Sequence, residues 1–538
     1  MNDGRTTPDV PVAARRRRII FPWVVGALTV CLALAGQLLL RNELDSGLGN
    51  IVSMLGVFLG AMLIFAWAVL RGPWARSTRG ALFVAGIAMA VVLGTSVRIE
   101  GFSGAMLPKF RFRWSVPADR QLATDLPSGT ETPEDAEQRV MPPVSALDYP
   151  RFLGATGRAE IEGVRLARDW DAAPPKLLWK QPIGAGWSAF ATVGDFALTQ
   201  EQRGDQELVT CYDLKSGKVL WSHADAGRFD EFMGGLGPRA TPTIDEGRVY
   251  AQGATGILNC LDGATGKLLW SKNILEDNGA PNVQWGKSGS PLVSGKLVIV
   301  SAGGPDGKSL VAYDKLTGER VWSGGNELSA YASPVEATLA GVKQILIVNE
   351  THVAGHDAET GQLLWEFSWP GQSNGAANTS QPVALSDSRV FISKGYGVGA
   401  TVFEVHRGAD GVWTTEDVWG GPKRVMKTKF ANIVLRDGLA YGLDDGILEC
   451  LDLDKGKPRW KKGRFNHGQL LRVGDLLLVQ AEEGKVALVE ATPEAYRELG
   501  SFQALEGKCW NNPALAQGRY LLVRNGEQAA CYELPLER

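Results

Sequence analysis

A pattern of eleven residues returns five times in this chain and limits what it can fold into: small residue, any residue, Asp, three residues, Gly, three residues, Trp. It reads CYDLKSGKVLW at Cys211–Trp221, CLDGATGKLLW at Cys260–Trp270, AYDKLTGERVW at Ala312–Trp322, GHDAETGQLLW at Gly355–Trp365 and CLDLDKGKPRW at Cys450–Trp460. The residues before each Asp alternate as in a half-buried strand. Asp213, Asp262, Asp314, Asp357 and Asp452 can each accept backbone N–H bonds in a tight turn. Gly217, Gly266, Gly318, Gly361 and Gly456 can take the positive φ such a turn needs. The next strand ends on Trp221, Trp270, Trp322, Trp365 or Trp460, a large apolar face with one N–H donor for a seam between units. Each unit is strand, hairpin, strand.

The spacing gives the architecture. The interval from Trp365 to Trp460 is about twice the others, so a degenerate unit ends between them, near Trp413 or Trp419. A period of about 40–50 residues with four short strands per unit indicates a β-propeller. Eight blades are expected, with starts near Trp187, Arg239, Trp285, Tyr331, Asn378, Lys429, Asn466 and Trp510; seven is the fallback if degenerate stretches merge. Blades five and seven have lost the motif. In blade seven, ATPEAYREL replaces the hairpin and reads as a short helical turn. The chain stops before a final outer strand, and Leu177–Lys180 is expected to supply it, which removes free sheet edges.

This repeat resembles that of the quinoprotein-type propellers with PQQ-like repeats. That family includes quinoprotein alcohol dehydrogenases and BamB-type outer-membrane assembly propellers. The resemblance implies that each Trp docks on the neighbouring blade. It covers residues 150–538 and leaves the activity open, because the family holds both dehydrogenases and scaffolds.

The N-terminal part is different. Three uncharged stretches, 19–40, 51–70 and 80–97, read as transmembrane helices. Arg15–Arg18 precede the first, so the positive-inside rule puts residues 1–18 in the cytoplasm and, after three spans, the remainder outside. Lys109, Arg111 and Arg113 oppose this assignment. A cleaved leader or a lipidated Cys31 is the rival reading. Residues 98–149 have scattered Pro, Asp, Glu and Ser and read as a linker. The formal net charge of -3 gives no reason to expect a nucleic-acid partner.

The turns entering each innermost strand should ring the central channel. They read GAGWSAF, GLGPRATP, QWGKSGSP, SAYASP, NTSQP, KTKFANI, FNHGQL and CWNNP. Different polar side chains on a repeated frame suggest a shaped site. Trp187, Arg239, Lys287, Tyr331, Asn378, Lys429, Asn432, His467, Trp510 and Asn511 are the candidate rim, suited to a small anionic or polyhydroxylated ligand or to a protein partner.

A catalytic reading asks for more. The resemblance implies, for the dehydrogenases, a quinone held between a Trp and a disulfide of adjacent cysteines, a calcium ion on carboxylate and amide ligands, and an Asp as base. This chain has no adjacent Cys pair, and its entry turns hold no acid. Glu201 and Glu350 lie farther along the strands. Cys211, Cys260, Cys450 and Cys531 repeat one strand position and read as core residues. The expected function is therefore a non-catalytic scaffold or ligand-binding propeller at the outer face of the cytoplasmic membrane, without catalytic residues, metal or cofactor. The alternative is a dehydrogenase of alcohols or sugars that uses pyrroloquinoline quinone and calcium.

Overall fold

The computed structural model of the protein describes residues 12–40, 45–124, 126–127 and 139–537. The first part of the expected cytoplasmic tail (1–11), part of the first loop (41–44) and the middle of the expected linker (125 and 128–138) lie outside the described residues. The chain divides into two compact units, Met1–Ser115 and Val116–Arg538.

In the first unit, α1 (Val12–Ala35) runs into a π-helical turn, Gly36–Leu40, and is followed by α2 (Ser46–Arg71) and α3 (Arg76–Ser96). Ile20–Leu40, Ser46–Arg71 and Arg76–Ser96 are long and apolar enough to cross a membrane. Asp45 caps α2, accepting the Gly47 N–H at 2.7 Å. Small residues bring α1 and α2 together: a Cβ at Gly60 would lie 2.0 Å from Thr29 Oγ1. Gln37 donates to Asn50 Oδ1 (2.9 Å) and Ser53 Oγ (3.1 Å), pairing polar groups between the two helices. After α3, the hairpin of β1 (Val97–Phe102) and β2 (Pro108–Phe112) occupies the start of the stretch assigned to the linker.

The second unit is an eight-bladed propeller of antiparallel four-stranded sheets, that of blade seven extended by a short fifth, parallel strand. The innermost strands of blades one to eight are Ala191–Val193, Thr243–Asp245, Leu292–Ser294, Val335–Leu339, Val383–Ala384, Val434–Arg436, Gln469–Val473 and Ala514–Ala516. In blades one to seven the outermost strand is fourth in sequence. In blade eight it is Lys176–Pro182, paired with Gln528–Glu533, so the ring closes as the sequence implies. Arg524 reinforces the closure. It is fully buried and donates to Thr199 Oγ1 (2.6 Å), Gln200 O (2.8 Å) and Gly184 O (2.9 Å) of blade one. In blade seven, residues 491–497 form an irregular connection rather than the expected helical turn. Pro493 breaks it, and the outer strand resumes at Glu498–Gln503.

The repeated motif builds the seams. Asp262 Oδ1 accepts the Thr265 N–H (2.9 Å) and hydroxyl (2.7 Å), and Asp357 does the same with Thr360. The Trp N–H then reaches the residue after the motif Asp in the next blade. Trp179 donates to Leu214 O (2.8 Å), Trp221 to Gly263 O (3.1 Å) and Trp270 to Lys315 O (3.1 Å). The ring lies on the next motif glycine. Gly266 has φ +76°, and a Cβ there would come within 2.3 Å of the Trp221 ring. In the degenerate blade Trp419 takes the docking role, donating to Leu453 O at 3.2 Å, while Trp413 starts the outer strand. Trp322 lays its ring on Gly361 without a hydrogen bond from its N–H, and Trp365 departs further. Blade five offers it no motif turn, and its N–H goes to Gln344 Oε1 of its own blade at 2.7 Å.

The described parts of the stretch before the propeller are bonded to blade one. Asp119 is buried against Arg228 (2.7 Å), and Pro127 O accepts the Ser222 N–H (2.7 Å) from the outermost strand. Polar, Pro-rich chain thus covers an edge that would otherwise expose its ladder. Farther on, residues 148–161 cross the channel at the downstream ends of the innermost strands. Tyr149 pairs with Thr192, Pro150 O accepts the Ile244 N–H, and Glu160–Ile161 joins Arg472–Val473 in parallel. The cavity left beneath Arg151–Arg158 offers about 60 Å³ to the centres of water-sized molecules.

Candidate functional site

The entry turns converge at the other end of the channel, and the structure divides the ten candidate rim residues into two groups. One group is engaged in the propeller frame, most of it between blades. Asn378 Nδ2 donates to Asn349 O (3.0 Å) and Glu350 O (3.1 Å). Asn511 Nδ2 donates to Ser188 O (2.7 Å), linking blades eight and one. Asn432 Oδ1 accepts the Gln381 N–H at 2.8 Å, linking six and five. Lys287 is 2% exposed, and its ammonium donates to Ala302 O (2.6 Å), Ser329 Oγ (2.7 Å) and Ser301 O (3.3 Å). Burial without an acidic partner pulls its pKa down to about 7. Lys429 is also buried, with Nζ 4.9 Å from the Tyr396 ring centroid. Arg239 is half-buried on the Phe229 ring (4.6 Å) and donates to Gly235 O (2.7 Å) and Gly237 O. Its backbone partners shape a small hairpin, Asp230–Glu231 with Gly235–Leu236.

The other group is an aromatic array. Trp187 and Trp510 are half-buried, with centroids 4.9 Å apart; Trp510 contacts Phe430 (4.6 Å), and Phe430 meets the edge of the buried His467 ring (5.6 Å). Lys508 places its ammonium 3.9 Å from the Trp510 centroid and 4.7 Å from that of Trp187. The indole N–H groups are fixed, Trp187 to Gly234 O (2.6 Å) and Trp510 to Glu482 Oε1 (2.9 Å). Across the small hairpin, Trp285 pairs with Tyr331 at 5.2 Å, and the Tyr331 hydroxyl donates to Ser373 O. The mouth therefore presents flat faces with a cation over them, an arrangement for stacking and for an anionic group beside the stack.

Phe430 and Trp285 were present in the quoted turns but not singled out. Lys508 lies one residue before the turn that begins at Cys509, so a reading confined to entry turns passes over it. Its neighbour Gly507 has φ +88°, which bends the chain there.

The two carboxylates considered for a catalytic role have structural partners. Glu201 is fully buried; Oε2 accepts the Gly184 N–H (2.6 Å), and Oε1 receives Thr210 (2.7 Å), Tyr212 (3.0 Å) and Arg203 (3.0 Å). Glu350 Oε1 accepts the Ser373 N–H at 2.8 Å. Among the described residues no group of three or more His, Cys, Asp or Glu could hold a metal ion. All six cysteines are free thiols, and those of the propeller are buried.

Fold and seam together define an eight-bladed propeller of tryptophan-docked repeats, similar to those with PQQ-like repeats. Residues 204–462, just under half of the chain, match the family model described as outer membrane protein assembly factor BamB. Among curated proteins it is similar to two proteins named alcohol dehydrogenase (quinone), dehydrogenase subunit. With that of Acetobacter aceti it is 26% identical over 321 residues, covering 55% of this chain and 38% of the relative. With that of Gluconobacter oxydans (strain 621H) it is 30% identical over 279 residues, covering 46% and 31%. The chain thus spans about a third of the length of these relatives. Among solved structures, the quinohemoprotein alcohol dehydrogenase from Comamonas testosteroni shares the fold, with a TM-score of 0.52, 13% identity, and coverage of 76% of this chain and 83% of that one.

Proposed function

We propose that this protein is a membrane-anchored, exported propeller that binds a ligand or a protein partner at the aromatic mouth and performs no redox chemistry of its own. One observation carries the reading. Asn378, Asn432, Asn511 and Lys287 are engaged between blades and Arg239 within its own turn, while Trp187, Phe430, Trp510 and Lys508 form a half-buried array at the mouth that a visitor can reach. A flat or aromatic-bearing anion suits that surface. The matched family model, named for an assembly factor, agrees with a partner-binding role. The membrane assigned is the cytoplasmic one, with the propeller outside, on the strength of Arg15–Arg18 before the first span.

The second reading is a quinone-dependent alcohol dehydrogenase, favoured by the names of the curated relatives. The residues present do not fit the calcium–quinone pair. Calcium asks for several oxygen ligands, preferably anionic, and Glu201 is saturated by four protein donors. No two cysteines are adjacent.

Titration of the purified full chain with pyrroloquinoline quinone, with and without calcium, followed by dye reduction over alcohols and sugars, separates the two. Calcium-dependent binding with dye reduction would sink the binding-module reading. Binding that ignores calcium, weakens in Lys508→Ala and reduces no dye supports it.

A further inference from the structure

The hairpin after α3 has a face the propeller chemistry does not use. Its register places Val97 opposite Phe112 and Ile99 opposite Phe110, so these four share one side of the two-stranded sheet. Phe110, Phe112 and Ile99 are 62%, 54% and 41% exposed. Arg98 faces Arg111 on the other side, where Glu100 pairs with Arg111 at 2.8 Å and with Lys109 at 3.5 Å. Trp114, 68% exposed, stacks on Phe112 at 4.8 Å. A lone two-stranded hairpin with a bare apolar face is marginal in water, so something covers this one.

Its place in the first unit says what. Val97 follows directly on Ser96, the last residue of α3. Arg113 donates to Gly94 O and Ser96 O (both 2.9 Å), and Asn50 Nδ2, in the first turns of α2, donates to Ala105 O in the hairpin loop (2.8 Å). The hairpin is thus fixed at the level where two spanning helices end, which is the lipid–water interface. Between Val97 and Trp114 four basic residues stand against one acid, a balance that complements anionic headgroups.

We infer that the 97–114 hairpin lies in the membrane interface as a fourth contact with the lipid, its Phe110/Phe112/Ile99 face in the acyl boundary and its basic residues among anionic headgroups. It resolves a conflict in the charge pattern: Lys109 and Arg111 oppose the positive-inside assignment only if they serve as topology signals, and here they serve as headgroup contacts. The inference rests on the helices crossing the membrane.

The test uses the full chain in vesicles of phosphatidylcholine with phosphatidylglycerol. In a Cys31→Ser background, Phe110→Cys, Lys109→Cys and Val84→Cys each carry a nitroxide, and collisions with oxygen and with an aqueous nickel chelate report depth. Val84, exposed in mid-α3, is the control for the span itself; if its label reads aqueous, the spanning reading fails rather than the hairpin alone. With the control in lipid, the label at 110 is expected roughly 5–10 Å below the headgroups, and that at 109 in water. Equal nickel access at 110 and 109 overturns the inference. So does shielding of 110 from both agents, which would mean that protein covers the face. Omitting phosphatidylglycerol should draw the 110 label toward water; no change would overturn the headgroup contact.

Discussion

Tryptophan does two different jobs in this propeller. In the seams, Trp221 is buried, its ring against a glycine of the next blade and its N–H on that blade's carbonyl. At the mouth, Trp510 is half-buried, its ring between two other aromatics and beneath an ammonium. The seam tryptophan has its whole surface claimed by its own chain. The mouth tryptophan stays half-exposed. The lesson is that residue type does not separate structure from function here; the partner on the open side of the ring does.

The comparison breaks most plainly under truncation. Trp221→Ala empties a seam and should cost about 3–5 kcal/mol, read as a large fall in the melting temperature of the propeller. Trp510→Ala, which empties a half-open mouth, should lower it far less. Equal losses would erase the distinction.

The glycine opposite the seam gives a finer test. Gly266→Ala pays a left-handed backbone term of roughly 1–2 kcal/mol and also drives a Cβ into the Trp221 ring. Gly247 has nearly the same φ, +73°, with nothing within 4 Å of its Cβ position. Gly247→Ala should therefore show the backbone term alone. The difference between the two melting shifts isolates the docking contact.

Lys287 tests the rim residues that serve as ties. Its pKa lies at about 7 in the folded chain against an ordinary 10.5. Between those values the unfolded chain binds a proton that the folded one does not. Stability contributed at this site is therefore present at high pH, falls as pH drops from about 10.5 to about 7, and levels off below. Relative to Lys287→Met, the wild-type chain should lose no more than about 1.4 kcal/mol per pH unit on that descent. A flat difference across the range would mean that the three acceptors around Nζ hold the ammonium as well as water does.

Much of this was legible in the sequence, because a repeated motif states its own mechanics. The blade count, the closure by Leu177–Lys180 and the Asp–Gly turns follow from spacing and turn chemistry. The docking role of Trp419 rather than Trp413 did not, since it depends on which ring reaches Leu453 O once the degenerate hairpin has folded. Nor did the burial of Lys287: a lysine in an entry turn looks like a rim cation until the carbonyls of Ser301 and Ala302 are seen to surround it. The hairpin after α3 escaped because its period-2 alternation spans only 97–102 and 108–112, inside a stretch whose composition reads as linker.

The smallest expected effect decides most about function. Lys508→Ala removes a cation from the faces of Trp187 and Trp510 without opening a cavity in the core, so the melting temperature should hardly move. A half-exposed cation–π contact is worth roughly 0.5–1 kcal/mol, and an anionic ligand stacked at the mouth would lose about that much, plus its own attraction to the ammonium. Lys508→Arg should restore binding, since a guanidinium also lies flat on indole. Calorimetry with any ligand found for the full chain reads both substitutions. Loss of binding in the alanine variant with recovery in the arginine variant places the ligand on the aromatic face. Unchanged affinity in both would move the site away from the mouth and leave Trp187 and Trp510 as one more packed seam.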